Sequence, residues 1–308
     1  MFKQNIFNEL NPQENTILSQ LSEKEILKIL SLICKYKLVY RDKLNINEKY
    51  TFGFEIEFEN LKTDKENFKN IIKDLNNDYN VVADLSLKNG IEVLTPISNN
   101  NIEFWKNLKC ILLNCRKYGN IDSYSGSHIH IGADILENKA NADNFITLWK
   151  TYEYIFFKFS YGELNYPREN INQYAMPLAS DKDNISVKFN AINLSNIYSY
   201  HDFGINNTIE FRCPNGTLNE IIWQNNLNMF IKMIEYSKSK NFNINTCNKV
   251  LGLNTKNNFY TLDNYNNIYL QTALSLADEI FDNNLDKVYF LKQYIKDFKT
   301  KKNTKLTV

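Results

Sequence analysis

Two of the chain's three histidines stand two residues apart in "SGSHIHIGAD", residues 125–134. Successive side chains of a strand point to opposite faces, so His128 and His130 share one face while Ile129 and Ile131 share the other. By itself such a face is either solvated or a place for a metal ion or a phosphate. A second segment, "TFGFEIEFEN", alternates Phe52, Phe54, Ile56 and Phe58 with Gly53, Glu55, Glu57 and Glu59. Its carboxylates recur about every 7 Å along one face, where they repel one another and gain most from cations placed above them. In "NVVADLSLKNGIEVLTP", Asp84 and Glu92 flank Asn89-Gly90, a pair that favours a hairpin turn and would bring both acids to one side of a sheet. In "NNTIEFRCPNGTLNE", Glu210 and Arg212 alternate with Ile209 and Phe211. Each segment alone has an ordinary reading as a solvated strand, a plain hairpin or a cross-strand ion pair. Together they repeat one design, an apolar back and a charged front, and a single site explains that repetition better than four accidents.

The elements that must position these residues follow from periodicity. Short strands are expected near 51–59, 80–84, 90–95, 127–132, 187–194 and 207–213, and helices near 64–76, 101–118, 141–160, 219–239 and 269–299. Before them, Ser22 and Glu25 have capping-box spacing and open an amphipathic helix through "LSEKEILKILSLICKYKLVYR". The order predicts an α+β fold with a mainly antiparallel sheet backed by helices. It divides into an N-terminal helical appendage over 1–46, a catalytic domain over 47–225, and a helical C-terminal region over 226–308 packing on that domain.

The 36 Lys and Arg balance 35 Asp and Glu, so bulk charge gives no reason to expect nucleic acid or a membrane surface as partner. No apolar run reaches the roughly 18 residues of a membrane span, and the first residues contain no signal-like apolar core; a cytoplasmic location is the expectation. Five cysteines with no C-x-x-C spacing fit reduced thiols better than a disulfide framework or a zinc site. The abundant asparagines are interleaved with apolar and aromatic residues and form no prion-like tract.

In order and spacing, "FGFEIEFE", "DLSLKNGIEVLTP", "SGSHIHIGAD" and "TIEFRCPNGTLN" resemble the amidoligase family, a branch of the carboxylate–amine ligase superfamily that includes glutamine synthetase and glutamate–cysteine ligase. The likeness covers roughly residues 50–220. It implies a glutamine-synthetase-like catalytic cup holding ATP and two or three Mg²⁺ or Mn²⁺ ions, and ligation of a small-molecule or peptide carboxylate to an amine. Position by position, Glu57, Asp84 and Glu92 resemble the ligands of one metal, and Glu55, His128 and Glu210 those of the metal nearer the nucleotide. His130 would lie by the phosphates, and Arg212 resembles the arginine that meets the transferring phosphoryl group. Glu57, Glu210 and Arg212 would thus carry the catalysis. The segment "YPRENINQYAMPL" would be a substrate-side loop with Arg168 and Tyr174, and "KFNAINL" a strand whose Asn190 and Asn193 face the cup. Lys188 stands where the family often has arginine, which weakens the parallel at one phosphate contact.

That chemistry suits these residue types. A carboxylate has a poor leaving group, and transfer of the ATP γ-phosphoryl group to it gives an acyl phosphate that an amine can attack. Hard cations on oxygen ligands would neutralise the approaching anions, and Arg212 would stabilise charge on the transferring group. One imidazole ligand is tolerable, the more so for Mn²⁺. No phosphate-binding glycine loop is needed when metal ions hold the phosphates, and none is present. Residues 162–184 have the composition of a lid over the intermediate. The amine also needs a base, for which the sequence offers no assignment. Two other classes compete: a metal-dependent hydrolase, which would normally recruit more histidine than His201 supplies, and a non-catalytic scaffold on the same fold. The terminal helices would cap the cup or build a homo-oligomer.

Overall fold

The computed structural model describes Ser22 and residues 38–296, apart from 85, 88, 179–186, 196, 198–206 and 258. Six strands form one open antiparallel sheet: β1 (Phe52–Phe58), β2 (Asn80–Val82), β3 (Ile91–Leu94), β4 (Ser127–Gly132), β5 (Ile192–Asn193) and β6 (Thr208–Phe211). Their spatial order is β2-β3-β1-β4-β6-β5. Interleaved helices are α1 (Lys65–Leu75), α2 (Ile102–Tyr118), α3 (Lys139–Ser160) and the single turn α4 (Ile171–Tyr174). After the sheet come α5 (Glu220–Ser237), α6 (Ile244–Lys256), α7 (Leu262–Tyr265), α8 (Leu270–Ile280) and α9 (Asn284–Tyr294). The mixed helix-and-sheet class agrees with the α+β expectation.

Alternation in the strands decides which face is buried. Phe52, Phe54, Ile56 and Phe58 turn to the back with Ile129, Ile131, Ile209 and Phe211, all 2% exposed or less. Helices α2, α3 and α5 cover this face. Phe52 stacks on Trp105 of α2 with centroids 5.8 Å apart, Phe54 lies 4.8 Å from Trp223 of α5, and Phe211 lies flat on Phe230 at 4.0 Å. Aromatic pairs of this kind add about 0.5–1.5 kcal/mol each beyond the area they bury. Helix α5 runs through residue 225, where the catalytic domain was expected to end, and joins one apolar core that also includes Leu274, Val288 and Tyr294 of the C-terminal helices.

Much of the asparagine has a local task. Asn101, Asn138, Asn219, Asn243 and Asn283 each accept a backbone N–H in the first turn of a helix that they cap. Asn283 also explains why the helical pattern expected over 269–299 is two helices: the chain leaves α8 at Phe281 and begins α9 after this cap. No strand was foreseen to be as short as β5. The expected strand over 187–194 reduces to Ile192–Asn193 and a single parallel bridge between Met176 and Asn190.

The expected hairpin exists as β2 paired with β3, with Val82 opposite Glu92, but its connection around Asn89-Gly90 is longer than strands over 80–84 and 90–95 would leave. It spans residues 83–90, and those two residues serve close packing. A Cβ on Gly90 would sit 2.5 Å from the Phe58 carbonyl, and Asn89 N–H donates to Glu59 at 2.8 Å. The predicted N-terminal helix lies outside the described residues as far as residue 37 apart from Ser22, and over residues 38–50 the chain is not helical. His201 and the 179–184 part of the expected lid also lie outside the described residues. No described helix is long and apolar enough to cross a membrane.

Candidate functional site

Strand register assembles the front face. Glu55 of β1 lies opposite His128 of β4, Glu57 opposite Glu92 of β3, and Glu210 of β6 between His130 and Asn193. Side chains directly opposite each other on a sheet share a face, so the four charged segments meet over five adjacent strands. The sequence parity of each residue thus reappears as one continuous polar wall.

Glu55 is the hub. Its Oε2 lies 2.6 Å from His128 Nδ1 and its Oε1 2.9 Å from His130 Nε2. Burial alone would raise the Glu55 carboxyl, but the hydrogen bonds and charges of the two imidazoles overcome it and hold the group well below the usual carboxylate range. Burial likewise opposes protonation of His130, yet the bond and charge of Glu55 and the charge of Glu210 keep its pKa above the ordinary value. The other nitrogen of His130 lies 3.0 Å from Thr208 Oγ1, which fixes the ring. Thr208 shares the parity of Glu210 on β6, so alternation already carried the signal for it.

Donor atoms of Glu55, His130 and Glu210 lie within 4.8 Å of one another, a spacing that one cation could bridge. The resemblance pairs His128, not His130, with these two acids; His128 Nδ1 is 3.6 Å from Glu210 Oε1, so both imidazoles border the same carboxylates. His128 Nε2 is buried with no hydrogen-bond partner and stands 3.5 Å from Glu57 Oε1. An orphaned imidazole nitrogen beside a carboxylate oxygen is the donor set a divalent cation accepts.

Glu57 is 4% exposed, and its Oε2 accepts the Gly126 N–H at 2.5 Å. A Cβ on Gly126 would fall 1.8 Å from Arg168 Nη1 and 3.2 Å from that Glu57 oxygen, so the close approach requires glycine. Arg168 is buried behind Glu57, and its guanidinium donates to the carbonyls of Arg212 at 3.1 Å and Pro214 at 3.3 Å. Burial draws its pKa down, while the Glu57 charge works the other way. Arg168 therefore braces the loop after β6 from beneath the site. Glu92 is pushed up to about 9, first by burial and then by the charges of Glu55, Glu57 and Asp84. Asp84 is half-buried and its Oδ1 accepts the Ser86 N–H at 2.6 Å. Such an excess of neighbouring acids is what bound cations would relieve.

Arg212 follows β6 and is 6% exposed. Its Nη1 pairs with Glu210, and its Nε donates to the Tyr174 carbonyl at 2.9 Å. Asn193 Nδ2 donates to the other oxygen of Glu210 at 2.7 Å. Asn190, three residues earlier, is buried next to Met176 through the parallel bridge and does not border the cavity described next. Residues three apart have opposite parity, which is why a straight strand would not send both to one face.

A cavity of about 190 Å³ opens beside these groups, lined by Glu57, Asp84, His128, Arg168, Tyr174, Lys188 and Arg212, together with Ser86, Asn170 and Phe189. No protein-family model and no curated protein matches the chain. Ser86, Asn170 and Phe189 were not singled out from the sequence. Each sits in a loop, where no periodicity marks the side that faces a ligand, although all three lie within segments read as belonging to the site or its lid.

Proposed function

We propose that this chain is an ATP- and Mg²⁺-dependent amidoligase that joins a carboxylate to an amine through an acyl phosphate. The observation that supports it most is the convergence of Glu55, Glu57, Glu92, His128, His130, Glu210 and Arg212 on one sheet face, beside a cavity with charges of both signs. The residues suit divalent cations: Glu55, His130 and Glu210 on one side, and Glu57 with His128 Nε2, near Glu92 and Asp84, on the other. When bound, such ions would neutralise the nucleotide phosphates and the substrate carboxylate as they approach.

The protein's own groups then divide the work. Glu210 and the Tyr174 carbonyl hold Arg212 by Nη1 and Nε, and Nη2 takes part in neither bond, which leaves a donor for a phosphoryl oxygen. Thr208 and Glu55 engage both nitrogens of the His130 ring and fix its orientation beside Glu55 and Glu210, the acids that would share a cation with it. Gly126 N–H anchors Glu57, and Arg168 supports the backbone that carries Arg212. Tyr174 and its neighbours, held by α4, close one side of the cavity and would limit water at the acyl phosphate.

The test is release of inorganic phosphate from ATP and Mg²⁺ by the purified protein against pools of amino acids, polyamines and peptides. Mass spectrometry would seek a product lighter by one water than its two substrates. Phosphate release that needs both a carboxylate and an amine supports the ligase. Turnover of a substrate without ATP would support a hydrolase, and absence of both ATP binding and turnover a scaffold.

A further inference from the structure

The cavity is polarised. Glu57 and Asp84 come from β1 and the β2–β3 connection, whereas Lys188 and Arg212 come from the segments around β5 and β6. Two lining groups are buried with an unpartnered polar atom, His128 at Nε2 and Asn170 at Oδ1; Asn170 as a residue is 7% exposed. Buried polar atoms left without a partner point to a missing polar ligand or ordered solvent.

Against this polar lining, Phe189 is an anomaly. The residue is 40% exposed although it borders the cavity, and its ring lies edge-to-face with Tyr174 at 5.8 Å. Lys188 Nζ stands 5.9 Å and Arg212 Cζ 5.7 Å from the centre of that ring. An anionic group that meets these two cations therefore places whatever it carries next to an aromatic surface. The backbone holds Phe189 in place, since its carbonyl accepts the Met176 N–H at 2.8 Å. Leaving an aromatic ring exposed in a polar recess forfeits hydrophobic stabilisation that an apolar ligand group would restore.

Size narrows the ligand. A dry cavity of about 150 Å³ accepts benzene, whereas drug-sized ligands occupy about 300–1,000 Å³. A space of about 190 Å³ holds one small molecule or one residue-sized group. A ligand complementary to this lining is small, carries one positive and one negative group, and has an apolar portion.

We propose that this cavity binds a free α-amino acid with an apolar side chain, its ammonium toward Asp84 on the acidic side, its carboxylate toward Lys188 and Arg212, and its side chain on Phe189 and Tyr174. The inference rests on the ligase reading for its role, as one of the two substrates, but not for binding itself. Phe189 is then the residue that separates apolar from acidic side chains, because an acidic one would leave the ring uncovered and a carboxylate pressed against it.

The test is titration calorimetry of the full chain in Mg²⁺ buffer, with and without a non-hydrolysable ATP analogue. The probes are L-leucine, L-phenylalanine, L-glutamate, putrescine, N-acetyl-L-leucine and L-leucine methyl ester. Leucine or phenylalanine binds, and the two blocked leucines bind at least about tenfold more weakly because each lacks one charge. Phe189→Ala weakens the apolar amino acid by about tenfold, Phe189→Leu restores most of it, and circular dichroism shows both variants folded. Tighter binding of glutamate or putrescine, equal binding of the blocked leucines, no effect of Phe189→Ala, or no binding of any probe would overturn the proposal. Amino-acid binding without ATP turnover leaves this inference standing while the ligase reading fails; ATP-dependent ligation that uses no apolar amino acid does the reverse.

Discussion

His128 Nε2 stands 3.5 Å from Glu57 Oε1, and among the described residues it has no hydrogen-bond partner. The relationship joins two adjacent strands at the centre of the front face and leaves a lone pair or a proton without a partner. A cation placed against both atoms resolves it. Titrated with Mn²⁺ or Mg²⁺, the protein is expected to gain thermal stability, by about 2.7 kcal/mol when the free ion is at 100 times Kd. Glu57→Gln and Glu210→Gln each weaken Mn²⁺ binding by at least about tenfold, measured by calorimetry. Unchanged affinity in both variants would place any ion elsewhere.

Arg212 is held by two bonds that leave its outer nitrogen unused, which is the arrangement of a residue kept ready for an incoming group. Arg212→Ala is expected to lower ATP-dependent amide formation by about 10³-fold or more while the far-ultraviolet dichroism stays native. Arg212→Lys does not restore it, because a single ammonium cannot hold Glu210 and the Tyr174 carbonyl and still reach a phosphoryl oxygen.

Glu92 gives a pH signature in the metal-free protein. Its folded pKa is raised from 4.5 to about 9, so between these values the unfolded chain has lost a proton that the folded chain keeps. The folded state then binds more protons, and its stability falls as pH rises from about 4.5 to about 9. Urea denaturation across this range is expected to show a smaller fall for Glu92→Gln than for the unsubstituted protein. In the unsubstituted protein Mg²⁺ would release the proton at pH 7.5, visible as a dependence of the calorimetric heat on the buffer's ionisation enthalpy.

Behind the sheet, Glu153 links α7 to the chain that follows α4. This fully buried carboxylate accepts from Trp149 Nε1 at 2.7 Å, from Leu178 N–H at 2.6 Å and from the Tyr265 hydroxyl of α7 at 3.1 Å. It follows Tyr152, where helix α3 departs from helical geometry. Glu153→Ala strands three donors and is expected to cost about 3 kcal/mol or more in urea denaturation. Glu153→Gln costs less, since an amide oxygen still serves Trp149 and Leu178.

How much of this was legible beforehand differs from segment to segment. The alternation in 52–58 and 127–132 places Glu55, Glu57, His128 and His130 on one face in both the sequence reading and the structure. Where the chain winds through loops, the reading loses its grip. The strand foreseen over 187–194 shrinks to Ile192–Asn193, and the turn foreseen at Asn89-Gly90 is a packing contact, because residues without a repeating pattern take their conformation from what they touch. Asn170 and Phe189 escaped notice for the same reason, and α6 and α7 went unassigned because their apolar stripes are thin.

The sequence by itself determined which side chain of each strand looks forward, and that helices with an apolar stripe would back the sheet, since the period of two in a strand and of 3.6 in a helix is a property of neighbouring residues. Only the tertiary structure decided that β1 lies between β3 and β4, that Glu55 stands opposite His128, and that His130 joins Glu55 and Glu210 within 4.8 Å. Strand order and register are set by contacts between residues as far apart in sequence as Glu55 and Glu210, and local periodicity carries no information about them.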